Sequence, residues 1–276
     1  MKFTARQPRI NVNVSPTHPL KEFAILAGGL LAIVVGVYLA LGLAVDLIVP
    51  RLSMDVEKVL ADAFIGQFAE EDAADVTRSV QALVDRLQDP CALLPYTITV
   101  HVTESDAVNA AALPGGHMVV FTGLLAEMTS ENELAFVLAH ELGHYANRDH
   151  LRGLGRALVL MSASTMLLGA DNSINRMIGQ GLGLTELSFS RKQESQADEF
   201  ALETLFCHYG HVADATSFFN KIPEDGDPGR FGHYFASHPE NRRRIARLKE
   251  LTEKRGYPTG HPLPLPVDLT AKISPP

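Results

Sequence analysis

The chain has 276 residues, which is long enough to bury a substantial core in one or two domains. Its formal net charge of -8 and its sequence pI near 5.7 argue against nucleic acid as a main partner, because phosphate binding requires concentrated positive charge. The two cysteines, Cys91 and Cys207, are too few for a disulfide framework. They leave two alternatives open, a single disulfide bond or a pair of buried thiols.

An apolar segment from residue 23 to residue 49 predicts a transmembrane helix that anchors the chain in a lipid bilayer. It has no charged side chain before Asp46 and exceeds the roughly 20 helical residues that a bilayer core requires. The alternative is a cleaved signal peptide, whose apolar region normally has about 7–15 residues. Residues 1–22 carry four basic side chains and are expected to form a cytoplasmic tail. The remainder would then lie across the membrane, in the periplasm if the source is a Gram-negative bacterium.

Helical and strand patterns follow the apolar segment. Apolar side chains at helical spacing predict a helical pair over residues 55–89, which Asp89-Pro90 ends. Alternating apolar and polar residues predict a half-buried strand over 98–102. A second strand, over 118–122, follows a Pro-Gly-Gly turn, so we expect a small sheet beside the helices.

A helix is predicted to begin at Ser130, because Ser130 and Glu133 have the spacing of a capping box. Apolar residues occupy nearly all sides of this helix, so we expect it to be buried. Its polar groups then need binding partners or a functional role, because an unpartnered buried charge is costly. Further helices are expected at about 191–207, 212–221 and 240–254.

Three other segments have less definite patterns. Residues 157–170 are apolar but number only about 14, which suits a core helix or an interfacial segment better than a second span. Residues 174–189 are apolar and broken by glycines, which fits either a flexible flap near a site or core packing. The proline-rich tail over 257–276 predicts an extended or disordered arm.

The buried helix contains the sequence His140-Glu141-Leu142-Gly143-His144, an H-E-x-x-H arrangement. Residues four apart return to the same helix face, so both imidazoles can reach one zinc ion, with Glu141 beside a water molecule that the ion binds. Zinc lowers the pKa of that water to about 7, and a neighbouring carboxylate can take its proton during attack on a peptide carbonyl. The pattern therefore predicts one Zn2+ per chain.

A catalytic zinc ion requires a third protein ligand, and two residues are candidates. His150 stands six residues after His144, as in metzincins, but Asn147 replaces the glycine that turns the chain in that class. The other candidate is Glu194, which a helix places on one face with Asp198. Glu194 could bind zinc while Asp198 accepts the outer N–H of a ligand histidine. A solvated acidic helix face is the alternative interpretation of this pair.

These residues resemble the membrane-associated gluzincin zinc metallopeptidases of peptidase family M48, which include HtpX, BepA and the CaaX prenyl protease. The resemblance runs from about residue 109 to residue 248. Three groups of motifs carry it in order: Asn109-Ala110 with Leu113-Pro114-Gly115-Gly116-His117 and Thr122-Gly123-Leu124-Leu125; Glu194-Ser195-Gln196-Ala197-Asp198; and Ser237-His238-Pro239 with Arg244-Ile245. Three motifs in order are far more specific than the pentapeptide alone.

The resemblance implies that Glu194 is the third ligand and that Asp198 supports a ligand histidine. It also implies that a strand near 117–122 pairs with the substrate backbone. Arg244 would stabilise the developing oxyanion, and His238 would approach the metal or the same oxyanion. The alternative for His238 is a structural loop histidine. A single convincing span disfavours prenylated substrates and favours the envelope quality-control members of the family.

Together these features predict an α+β fold, a mostly helical zincin-like metallopeptidase domain with a small sheet over residues 50–256, tethered by one N-terminal transmembrane helix. The predicted activity is hydrolysis of polypeptide substrates, with Glu141, Arg244 and His238 as catalytic residues. A metzincin that uses His150 is one alternative. The other is a chaperone or assembly factor with a largely latent zinc site.

Overall fold

The computed structural model describes residues 18–65, 74–176, 189–223, 229–239 and 241–269. Within them the fold is α+β, with helices around one three-stranded sheet, as predicted. The helices are α1 (Pro19–Ile48), α2 (Met54–Ile65), α3 (Ala74–Gln88), α4 (Thr122–Glu127), α5 (Glu131–Ala146), α6 (Asp149–Leu168), α7 (Arg191–Tyr209), α8 (Gly232–Ser237) and α9 (Asn241–Arg255). The strands are β1 (Thr99–Thr103), β2 (Ala110–Leu113) and β3 (His117–Phe121).

The sheet has the order β1–β3–β2, with β1 parallel and β2 antiparallel to β3. A tight turn joins β2 to β3, and Gly116 there has φ +86°, where a Cβ atom would lie 2.5 Å from the Thr97 carbonyl oxygen. Because β3 is the central strand, the prediction that a strand near 117–122 pairs with substrate is wrong. Strand β2 was not predicted, and it forms the sheet edge that packs against α5.

Helix α5 lies in the core, as predicted, and nearly all of its residues are buried. The Ser130 hydroxyl accepts a hydrogen bond from the Glu133 N–H. The Glu133 carboxylate instead accepts hydrogen bonds from the N–H and hydroxyl of Thr129, so only half of the predicted capping box forms. Helix α5 packs closely against α7, and Gly143 makes this possible because a Cβ there would lie 2.8 Å from the Ala197 Cα.

Helix α7 begins with a complete capping box formed by Ser190 and Gln193. Near its other end, Cys207 forms a disulfide bond with Cys91 at a Cα–Cα distance of 5.7 Å, which decides between the two alternatives for the cysteines. The helix predicted over 212–221 is wrong. Asp214 has φ +56°, so this segment forms turns and then a short 3-10 helix.

The predicted anchor forms α1, which is long and apolar enough to cross a membrane and begins four residues earlier than predicted. Helix α6 is also long and apolar enough to cross a membrane. It lies along α1 with much of its apolar surface exposed, so the core-helix interpretation of residues 157–170 is wrong. The interfacial alternative remains. Of the segment over 174–189, residues 177–188 lie outside the described residues.

The C-terminal tail follows the domain surface as an extended arm over residues 257–266, one of the two predicted forms. It is tied to the start of α5 by main-chain and side-chain hydrogen bonds. The Glu131 N–H donates to the Leu263 carbonyl, and the Leu263 N–H donates to the Asn132 side chain. Residues 270–276 lie outside the described residues.

Candidate metal centre

Helices α5 and α7 bring the predicted ligands together. His140 and His144 lie one turn apart on one face of α5, and their Nε2 atoms are 3.1 Å apart. The Glu194 carboxylate on α7 faces both rings, with Oε1 3.5 Å from the His144 Nε2 and Oε2 3.7 Å from the His140 Nε2. All three side chains are buried, so bulk water does not solvate these polar groups and they require another partner, such as a bound ion.

His238, which follows α8, joins the same cluster. Its Nδ1 lies 3.3 Å from the His140 Nε2 and 3.1 Å from Glu194 Oε1. Its ring stacks on Tyr234. One ligand atom from each of the four residues, His140, His144, Glu194 and His238, lies within 4.8 Å of the others. The prediction that His238 approaches the metal position therefore has a geometric basis.

The separations between these atoms fit a shared metal ion. Tetrahedral ligands at about 2.0–2.1 Å from a zinc ion are about 3.3–3.4 Å apart. The pairs that involve His140, His144 and Glu194 have separations of 3.1, 3.5 and 3.7 Å. Without a shared cation, acceptor atoms packed this closely in a buried site would be costly. The residues present therefore fit a metal ion.

Carboxylates hold the outer nitrogens of both candidate ligand histidines. The His140 Nδ1 lies 3.0 Å from Asp198 Oδ1, which is the support that the sequence analysis predicted for Asp198. The His144 Nδ1 lies 3.1 Å from Asp149 Oδ2, and Asp149 was missed. Such contacts fix the ring orientation and direct each Nε2 toward the metal position.

The electrostatic environment favours an ionised Glu194 beside neutral imidazole at His140. Burial lowers the pKa of His140 to about 3, and the charge of Arg244 acts in the same direction. Burial alone would raise the pKa of Glu194. The charges of His238 and Arg244 outweigh it and hold the Glu194 pKa well below its usual value. His140 and Glu194 are thus in the protonation states that metal ligands require. His144 differs, because burial would lower its pKa but the hydrogen bonds with Asp149 and Glu194 raise it to about 10.

Glu141 lies beside the cluster with a different environment. It is buried, and neither carboxylate oxygen has a hydrogen-bond partner among the described residues. The His238 Nε2 lies 3.7 Å from Glu141 Oε1. Burial raises the pKa of Glu141, although the charges of His238 and His144 act in the opposite direction. A buried carboxylate without partners is costly, which suggests a use in chemistry rather than in packing.

Arg244 on α9 is buried and joins two carboxylates of α7. Its Nε and Nη2 donate to Asp198 at 2.9 and 2.7 Å, and its Nη1 lies 2.6 Å from Glu194 Oε2. Its Nη2 also lies 3.3 Å from the His140 Nδ1. The structure therefore shows Arg244 positioning the residues around the metal position. Its role toward a substrate oxyanion stays a prediction.

A sequence model described as Peptidase family M48 matches residues 70–252, which includes every residue of this cluster. The chain belongs to peptidase family M48. The match leaves out α1, so membership of M48 is independent of the anchor.

Relatives of the chain include mitochondrial metalloendopeptidases and a bacterial metalloprotease. Metalloendopeptidase OMA1, mitochondrial, of Danio rerio is 29% identical over 69% of this chain and 44% of its own length. Mitochondrial metalloendopeptidase OMA1 of Arabidopsis thaliana is 33% identical over 54% of this chain and 30% of its own. Metalloprotease YcaL of Escherichia coli (strain K12) is 29% identical over 56% and 62%, respectively. The chain thus spans between about a third and two thirds of the length of these relatives.

The rival third ligand, His150, lies elsewhere. Its Nε2 is 2.8 Å from Glu57 Oε1, in a second buried network where the Tyr96 hydroxyl and the Gly115 N–H also donate to Glu57. Arg148, with φ +54°, turns the chain between α5 and α6 and directs His150 away from the metal position. The structure therefore does not support the metzincin alternative, in which His150 would be the third ligand.

Proposed function

We propose that this chain is a membrane-anchored, zinc-dependent endopeptidase that hydrolyses peptide bonds in misfolded or misassembled envelope proteins. The observation that carries the proposal is the buried convergence of His140, His144 and Glu194, with the unpartnered carboxylate of Glu141 beside them. The relatives are a metalloendopeptidase and a metalloprotease by name, which supports a peptide substrate.

In this proposal His140, His144 and Glu194 hold one Zn2+ ion. Two imidazoles and one carboxylate are the ligand set of many catalytic zinc sites, which leave a further position open. When bound, the ion supplies Lewis-acid chemistry, because it polarises a carbonyl oxygen and lowers the pKa of a water molecule to about 7. Asp198 and Asp149 keep the two rings in the tautomer that presents Nε2.

Glu141 is proposed as the general base and, later, the general acid. Its two oxygens accept no hydrogen bond from a described side chain, so they are available to take a proton from the attacking water and to return it to the leaving amine. His238 presents its Nε2 toward Glu141 at 3.7 Å and is proposed to donate to the developing oxyanion. Arg244, which contacts the Glu194 carboxylate, is proposed to stabilise the same negative charge.

Polypeptides in an extended conformation are the proposed substrates. The edge strand β2 packs against α5 and is the part of the sheet nearest the candidate site. Main-chain pairing with a sheet edge reads little sequence, so it suits unfolded segments of many proteins. The long apolar helix α1 supports a membrane location. The Cys91–Cys207 disulfide bond supports an oxidising, non-cytoplasmic compartment such as the periplasm.

A second candidate is a chaperone or assembly factor with a largely latent zinc site. The position of His238 favours it, because a fourth protein ligand would close the coordination position that substrate and water require. The unpartnered Glu141 favours the endopeptidase instead, since a purely structural site has no need of a buried free carboxylate.

The test compares zinc content and casein cleavage for the purified full chain and four variants, Glu141→Gln, Glu194→Gln, His150→Ala and Glu203→Gln. Glu203 lies on α7 with Glu194, but its side chain is half exposed, so it provides the matched control. We expect Glu141→Gln to keep zinc and lose cleavage. Glu194→Gln is expected to lose both, and Glu203→Gln to keep both.

Two results would contradict the proposal. Zinc binding without cleavage by the wild type would favour the latent-site alternative, and a Glu141→Gln chain that complements a deletion strain would strengthen it. Loss of zinc from His150→Ala, with zinc retained by Glu194→Gln, would show that the third ligand has been assigned incorrectly.

A further inference from the structure

Helix α6 has an exposed apolar face that the catalytic site does not use. Its apolar side chains crowd the C-terminal half of the helix, where Met166 is 90% exposed, Leu167 62% and Leu168 63%. Leu158 and Leu160 extend the same surface toward the N-terminal half. Between Arg156 and Asp171 the chain has no charged residue. An apolar surface of this extent marks contact with a membrane or another protein.

The apolar face of α6 continues that of α1. The Arg148 guanidinium donates to the Val49 carbonyl at the end of α1, and further along α6 a Cβ added at Gly155 would lie 2.8 Å from Val45. As α6 proceeds, its contacts move back toward the start of α1. The two helices therefore run antiparallel, and α6 extends along the helix that has the length and composition of a membrane span.

Charged residues mark where this helix pair would enter a membrane. Arg156 donates to both oxygens of Asp46 at 2.9 and 3.0 Å, and the Arg152 Nε lies 3.7 Å from the same carboxylate. Paired charges of this kind are suited to the level of the lipid headgroups. Beyond them, the helical residues 157–168 span about 18 Å at the helical rise, which is less than the hydrocarbon thickness of about 30 Å.

Two asparagine side chains in the segment after α6 cover carbonyl groups of the residues that directly follow the helix. The Asn175 amide donates to the Ala170 carbonyl at 2.9 Å and to Thr165 Oγ1 at 2.6 Å, and the Asn172 amide donates to the Gly169 carbonyl. Such internal pairing satisfies these two carbonyl groups where water cannot reach them, as a segment at the membrane surface or within lipid requires. The carboxylate of Asp171 is costly in hydrocarbon and limits the depth that this end can reach.

We propose that α6 is a second membrane-inserted element, whose residues 157–168 enter the leaflet adjacent to the soluble domain and pack beside α1. The bilayer is the occupant of its exposed apolar face. Asp149, the first residue of α6, holds the candidate ligand His144, and Arg156 lies seven positions further along the helix. The metal centre would then be held about 10 Å above the headgroup layer. This consequence rests on the proposed function, because it directs proteolysis to segments close to the membrane surface.

The chain contains no tryptophan, so one introduced tryptophan reports its own environment. The experiment places Met166→Trp, Leu168→Trp, Leu39→Trp and Leu93→Trp singly in the full chain, reconstituted in phosphatidylcholine vesicles with or without brominated acyl chains. Leu39 is an exposed position in α1 and is the positive control, whereas Leu93 is 79% exposed on the soluble domain and is the negative control. Tryptophan replaces an exposed side chain at each position, so the core is unchanged.

We expect brominated lipid to quench Met166→Trp and Leu168→Trp as strongly as Leu39→Trp, with emission shifted to the blue, and to leave Leu93→Trp unquenched. Quenching of Leu39→Trp alone would overturn the proposal while leaving the anchor intact. A blue shift at residue 166 without quenching would show that protein, such as a second copy of this chain, covers the face. Absence of quenching at every position would show that neither α1 nor α6 contacts lipid, and would overturn the proposal. None of these outcomes depends on cleavage activity, so they are independent of the proposed function.

Discussion

A single methyl group at Gly143 is expected to damage the metal centre without touching a ligand. A Cβ there would lie 2.8 Å from the Cα and 3.1 Å from the carbonyl oxygen of Ala197, and backbone atoms cannot rotate away. Ordinary contact begins at 3.4 Å, so α5 and α7 must separate by roughly 0.6 Å at this crossing. Metal–ligand distances tolerate only about 0.2 Å, and Glu194 stands one turn from Ala197. Gly143→Ala should therefore weaken metal binding at least about 10-fold and lower the free energy of unfolding by about 1–3 kcal/mol.

The assay is a zinc titration of the full chain against a chromophoric chelator, together with thermal unfolding of the same samples. Gly42→Ala is the matched control, because Gly42 is also helical and a Cβ there meets no atom within 4 Å. That variant should match the wild type in both measurements. If Gly143→Ala binds zinc as tightly as the wild type and unfolds at the same temperature, the closeness of α5 and α7 does not position Glu194, and the reasoning fails.

Replacing Cys91 and Cys207 together by alanine should lower the free energy of unfolding by about 2–5 kcal/mol, because their disulfide bond closes a long loop. Reductant should destabilise the wild type in denaturant titrations and leave this variant unchanged; equal responses would contradict the expectation. Asp149→Asn should weaken zinc binding by about 10–100-fold in the chelator titration, and unchanged affinity would remove its supporting role. Burial alone would raise the pKa of Glu57, but its hydrogen bond with His150 lowers the pKa below the ordinary 4.5. Glu57 should therefore stabilise the fold above pH 4.5, and this contribution should disappear as pH falls through the lowered value. Unfolding measured across that range should show a shallower pH dependence for Glu57→Gln, and identical slopes would contradict it.

The central part of the site could be predicted because its determinants are local. His140 and His144 are four residues apart on a helix whose start is indicated by Ser130 and whose burial is indicated by its apolar neighbours. Helical geometry alone then brings the two rings to one point. Asp198 could be placed by the same argument relative to Glu194, since both lie on α7.

Other features depend on contacts between distant segments, and local patterns do not contain them. Strand β2 is three alanines and a leucine, residues with little preference for strands, and it becomes a strand only by pairing with β3. Asp149 reaches His144 because Arg148 adopts a left-handed conformation, which no pattern at that position indicated. Residues 157–170 are apolar and few, a pattern that fits both a core helix and an interfacial segment. Only the position of α6 along α1 distinguishes the two.

The candidate centre depends on the relative position of two helices, because the histidines lie on α5 and Glu194 lies on α7. Three contacts along α7 fix that position. At its start, the Gln193 amide donates to Asp149 at 2.7 Å, and Asp149 in turn supports His144. In the middle, Gly143 allows direct backbone contact between the helices. At the far end, Cys207 ties α7 to Cys91, just beyond α3. Since movement at any of these points displaces Glu194 relative to both rings, the contacts that stabilise the fold also pre-organise the ligands.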